Sequence, residues 1–111
     1  MRYLMLVHVD PTAEPGPDVD TDPTAWVEDL TSRGMRITGD RLRPDEETTT
    51  VRVRDGGTLL TDGPFAEVRE VVAGFDLLEA ADLDEALAAA AAHPMARVGA
   101  IEVRAVWPFD A

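Results

Sequence analysis

Four ionisable side chains stand where they could move protons. Asp62 and Glu67 bracket the run Gly63-Pro64-Phe65-Ala66, and two carboxylates so spaced across a turn could divide an acid and a base role. His93 follows an alanine-rich stretch and precedes Pro94, and imidazole titrates near neutrality. Asp76 falls on an otherwise apolar strand face, where a carboxylate must find donors. These residues define a catalytic candidate, His93 with Asp62 or Glu67. The ligand-contact set is Asp62, Gly63, Pro64, Phe65, Asp76 and His8.

Each of these residues also has a purely structural role open to it. His93 could cap the helix C-terminus, its ring bonding a last-turn carbonyl, where the dipole favours the protonated form. Asp62, before Gly-Pro, could close an Asx-turn on its own backbone. Glu67 could cap the exit of the same loop or hold an arginine. Phe65 could plug the loop into the core. Asp76 could pair with an arginine. His8 shares a strand face with Leu4 and Leu6 and could be a satisfied core or interface histidine.

Other chemistries are closed off by composition. There is no cysteine, hence no disulfide framework, thiol nucleophile or thiolate metal site. All ten basic residues are arginine, so no lysine is present for Schiff-base chemistry. Ser32, the only serine, lies in a helical pattern without a nucleophile elbow. Two distant histidines do not form a metal site. Asp18, Asp20, Asp22 and Asp29 imitate the spacing of a calcium loop, but Pro23 occupies the position where the sharp turn needs glycine. A net charge of −12, with arginines scattered among acids, disfavours nucleic acid and anionic membrane surfaces.

The elements that must position these residues follow from periodicity. Arg2–Val9 alternates as a strand apolar on both faces. Its segment Met1–Asp10 is too short for a signal peptide and no apolar run reaches membrane-spanning length, so a soluble cytoplasmic protein is expected. A Pro-rich loop leads to Asp22-Pro23, a helix start, with Trp26, Val27 and Leu30 as the apolar stripe and Gly34 as the stop. A strand is predicted over Met35–Arg43, with Arg36, Thr38 and Asp40 or Arg41 towards solvent. A hairpin follows, Thr49–Asp55 and Thr58–Thr61, turning at Asp55-Gly56-Gly57.

Glu70–Glu79 is a strand. Val71, Ala73, Phe75 and Leu77 share one face; Val72, Gly74, Asp76 and Leu78 share the other. Gly74 inside it marks a bulge or a close backbone approach. Asp82–Ala92 is a helix with Asp82 and Glu85 in capping-box spacing and Leu83, Ala86, Leu87, Ala90 and Ala91 as its buried face. Val98–Trp107 is the last strand. The order β-α-β-hairpin-β-α-β in 111 residues predicts one ferredoxin-like α+β domain, a split βαβ with an inserted hairpin. Two helices cover one face of such a sheet. The other carries apolar residues of the first, fifth and last strands, which predicts a homodimer packed sheet to sheet.

Several motifs in order carry a family resemblance. Asp62-Gly63-Pro64-Phe65-Ala66-Glu67, Gly74-Phe75, Leu78-Glu79, Asp82-Leu83-Asp84-Glu85-Ala86, His93-Pro94 and Ile101-Glu102-Val103-Arg104 together resemble the YCII-related family, in its DGPF-domain branch, over Met1–Val106. The resemblance implies a dimeric α+β barrel and no organic cofactor. Members of the wider family carry a histidine near the start of the first helix and an aspartate in an Asp-Pro after the second, together an acid–base pair. This chain has no histidine in the first helix and carries His93-Pro94 at the second place.

Two functional readings remain. One is a cofactor-free enzyme or former enzyme that binds a small polar organic molecule between sheet and helices. The other is a non-catalytic binding or regulatory module, since some relatives resemble partners of extracytoplasmic-function sigma factors. The hairpin bearing Arg52 and Arg54 would be its natural contact.

Overall fold

A computed structural model describes residues 1–13, 16, 19–64 and 70–110. Six strands and two helices are present among them: β1 (Arg2–Val9), α1 (Thr24–Ser32), β2 (Arg36–Arg41), β3 (Thr49–Arg54), β4 (Gly57–Asp62), β5 (Val71–Glu79), α2 (Leu83–Ala91) and β6 (Ala100–Ala105). Four strands form an antiparallel sheet in the order β2-β5-β1-β6, while β3 and β4 pair only with each other. This α+β arrangement is consistent with a ferredoxin-like fold.

Strand alternation sorts the sheet into two faces. Tyr3, Met5 and Leu78 are buried with Trp26, Leu30, Met35, Ala86, Ala89 and Ala90 in the core under the helices. Val103 and Ile101 of β6 pack against the same core. Leu4, Leu6, Phe75 and Leu77 point the other way and are only half-buried.

The helices start and stop as their sequences dictate. The Asp22 carboxylate accepts from the Thr24 amide (3.0 Å) and hydroxyl (2.6 Å), satisfying a free donor at the head of α1. Gly34 takes φ +69° beyond its end, a conformation that a side chain would strain. In α2 Asp82 caps the helix by accepting from the Glu85 amide at 2.9 Å, while Glu85 accepts from the Ala81 amide at 3.3 Å, one residue before the amide that a closed capping box engages.

The buried stripe of α2 is Ala86, Ala89 and Ala90, and Leu83 and Leu87 are exposed, contrary to the sequence expectation. The Trp26 indole N–H of α1 donates to the Ala89 carbonyl at 2.8 Å, so the indole lies against the face of α2 that carries the alanines. A 3-10 turn, Pro94–Arg97, follows α2 and was not expected.

β2 departs from its predicted facing. Its pairing with β5 runs Arg36↔Leu78, then Thr38↔Leu77, Gly39↔Asp76, Asp40↔Phe75 and Arg41↔Gly74. Ile37 is the extra residue. One inserted residue flips every side chain that follows it, so Arg36 shares the core-side face with Gly39 and Arg41 instead of with Thr38 and Asp40. Arg36 is therefore turned inward, not towards solvent. A second irregularity, opposite Val7 and His8, skips Ala73, next to Gly74. A Cβ on Gly74 would lie 3.0 Å from the Asp40 carbonyl oxygen, so both signals read from that glycine are present.

The β3–β4 hairpin turns through Asp55 (φ +52°) and Gly56 (φ +77°), the two positive φ values of a type I′ turn. Val51, Val53, Leu59 and Leu60 on it are all more than half exposed. The radius of gyration is 16.1 Å, against about 13 Å for a compact chain of this length.

Candidate functional site

A cleft of about 520 Å³ opens between the sheet and α1, at the end of the core remote from Leu78. Its walls are Val7 and Val9 of β1, Trp26 and Val27 of α1, and Met95 of the 3-10 turn. Its polar residues come from segments that are distant in sequence: Thr21 ahead of α1, Arg36, Asp40 and Arg41 of β2, Asp76 of β5, and His93 beyond α2.

Asp76 is buried, and its Oδ1 accepts from the Arg36 Nε at 2.8 Å. The partner anticipated from the sequence is thus present and is now named. Burial pushes the Asp76 carboxyl above the ordinary carboxylate value, because desolvation outweighs the hydrogen bond and charge of Arg36. Gly39 makes the pair possible. It sits opposite Asp76 across the ladder, and a Cβ there would overlap the Asp76 Oδ1, with the Phe75 carbonyl at 2.6 Å and an Arg36 terminal nitrogen at 2.8 Å.

His93 is buried, 5% exposed, with its ring edge-on to Trp26 at a centroid distance of 4.6 Å. Its Nδ1 accepts from the Met95 amide at 3.0 Å, so the ring caps the following 3-10 turn rather than a last-turn carbonyl of α2. An amide can only donate, which leaves the ring proton of neutral imidazole on Nε2. Burial lowers the His93 pKa below its ordinary value of 6.5, against the pull of the Asp76 carboxylate. The dipole-favoured, protonated histidine expected from the sequence is not what this environment supports.

The structure brings His93 and Asp76 together in one cleft. Asp62, Gly63 and Pro64 do not line it within one subunit. Asp62 ends β4 opposite Thr49 and is exposed. Gly63, at φ +98°, is held by its amide to the Thr48 carbonyl (2.7 Å) and by its carbonyl to the Thr50 hydroxyl (2.8 Å). Phe65 and Glu67 lie outside the described residues. His8 is turned to the opposite sheet face from Val7, where its Nε2 lies 2.9 Å from Glu102 Oε1.

Sequence reasoning missed Arg36, Arg41, Trp26 and Gly39 as parts of the site. Gly39 alone carried a signal, since a glycine within a predicted strand marks close approach just as Gly74 did.

Fold and cleft together define a class: a small α+β protein with a half-enclosed acid–imidazole site between sheet and helices. The chain belongs to the YCII-related family, whose domain model matches residues 1–110. It is also similar to an uncharacterised protein of Rhizobium meliloti (strain 1021), 49% identical over 47 residues, a stretch covering 42% of this chain and 38% of that relative's length. No helix among the described residues is long and apolar enough to cross a membrane.

Proposed function

We propose that the cleft binds a small polar organic molecule and that Asp76 and His93 act on it as a proton acceptor and a hydrogen-bond donor. The observation that carries this is the pairing of opposite shifts in one cleft: a buried carboxyl moved up and a buried imidazole moved down. Such environments are those in which acid and base chemistry runs near neutral pH. Asp76 has one oxygen engaged by Arg36, and its second is the candidate base. The Nε2–H of His93 is the candidate donor. No cofactor is needed for proton transfer of this kind. Asp62, at the base of the hairpin, does not line the cleft of its own subunit and takes no part in the proposal.

The test is ligand-observed NMR on mixtures of polar metabolites, comparing the native chain with Asp76→Asn and His93→Gln. Compounds that bind the native chain and lose affinity in both variants support the site. Compounds that bind all three chains equally refute it.

Assembly forms part of the same reading. Leu4, Leu6, Phe75 and Leu77 present an apolar, only half-buried sheet face that neither described helix covers. A homodimer, sheet against sheet as in a dimeric α+β barrel, would bury it. The second reading, a regulatory module contacting a protein such as a sigma factor, is favoured by the hairpin. It presents Val51, Val53 and Leu60 on one side, with Arg52 and Arg54 on the other.

A further inference from the structure

The charge arrangement of the cleft narrows the class of ligand, on the footing that the cleft is a binding site. In a chain of net charge −12, the lining of the cleft includes two arginines, Arg36 and Arg41, and two acidic residues, Asp76 and Asp40. Asp40 pairs opposite Phe75, off the face shared by Arg36, Gly39 and Arg41, and is exposed at the edge of the cleft. His93 is neutral and adds a donor without adding an anion.

Arg36 contacts Asp76 through Nε, and among the described residues its side chain makes no other hydrogen bond. The Nη1–Nη2 edge therefore remains open, on a side chain that is only 18% exposed. That edge presents two parallel N–H groups, the geometry that matches both oxygens of a carboxylate. Arg41 has no carboxylate partner among the described residues and lines the same cleft. The remaining walls, Val7, Val9, Trp26, Val27 and Met95, are apolar.

We infer that the ligand is a small organic acid: one carboxylate, held by the open edge of Arg36 and by Arg41, on an apolar body that packs against Trp26 and the valines. A cation of the same size offers the guanidinium edge no acceptor. A neutral analogue leaves the guanidinium edge unpaired, a loss that charge-assisted hydrogen bonding makes substantial.

Benzoate, benzyl alcohol and benzylamine serve as probes of equal bulk and different charge, followed by the amide shifts of Gly74 and Met95. Benzoate is expected to bind about tenfold or more tightly than benzyl alcohol, benzylamine more weakly than benzoate, and Arg41→Gln to remove most of the advantage of benzoate while sparing benzyl alcohol. If benzyl alcohol or benzylamine binds as well as benzoate, the carboxylate assignment is overturned while the cleft stands as a binding site. An advantage left whole in Arg41→Gln overturns it as well. If none of the three shifts those amides, the binding cleft itself is refuted, and the assignment with it.

Discussion

Gly39 lies directly opposite Asp76 across the β2–β5 ladder, and no room exists there for even one methyl group. The carboxylate rests on bare backbone, and Arg36 reaches it along the same face. Gly39→Ala is expected to lower stability by about 1–3 kcal/mol, the range for overpacking a tight site. Urea denaturation measures the loss. In an Asp76→Ala background the same substitution should cost less, because one of the atoms it collides with is gone. Equal losses in the two backgrounds would show that Asp76 and Gly39 are not coupled.

Protonation of His93 sets an acid limb on stability. Its folded pKa lies below the ordinary 6.5, so the unfolded chain binds the proton more readily. The contribution of the neutral ring is then fully present above 6.5 and is lost as pH falls through the lower folded value. Asp76 has the opposite sign: its raised pKa favours the compact state below 3.8, and that contribution fades as pH rises through the folded value. His93→Gln should flatten the limb below 6.5, read as urea midpoint against pH, while leaving the Asp76 window in place.

The Trp26 indole ties α1 to α2 through the Ala89 carbonyl at 2.8 Å, a buried bond. Trp26→Phe keeps an aromatic ring and removes the donor, leaving a buried carbonyl without it. A loss of about 1–3 kcal/mol is expected, and hydrogen exchange should quicken first in α2. Unchanged protection in α2 would mean that this bond does not hold the helix in place.

Leu6 sits at the middle of the outer sheet face, opposite Phe75 and Glu102. If two copies meet there, the native chain sediments at about twice 12.0 kDa at micromolar concentration, and Leu6→Arg shifts it to the monomer mass with its secondary structure kept. A native chain that sediments as a monomer removes the proposed sheet-to-sheet pairing.

Hydrophobic periodicity and turn chemistry were enough to read the six strands and the two α-helices, though not the 3-10 turn Pro94–Arg97. The alternation of β1 and β5, the Asp82–Glu85 cap and the Asp55-Gly56 turn each depend on neighbours within a few residues. Asp76 was legible as a carboxylate needing a donor, because its own strand betrays its face. The identity of that donor was not, because the pattern of β2 read as an uninterrupted strand puts Arg36 beside Thr38 and Asp40. Only the pairing with β5 reveals that Ile37 is inserted and that Arg36 is turned inward.

The same division holds for the whole protein. Local sequence determined where helices begin, where strands turn and which faces of β1 and β5 are apolar, since those forces act over a turn or two of chain. The joining of Asp76 with His93, and the absence of Asp62 from their cleft, were decided by tertiary structure. Burial and register are properties of several segments meeting, and the inserted residue and the tight alanine contact that set them gain their meaning only against a partner strand or helix.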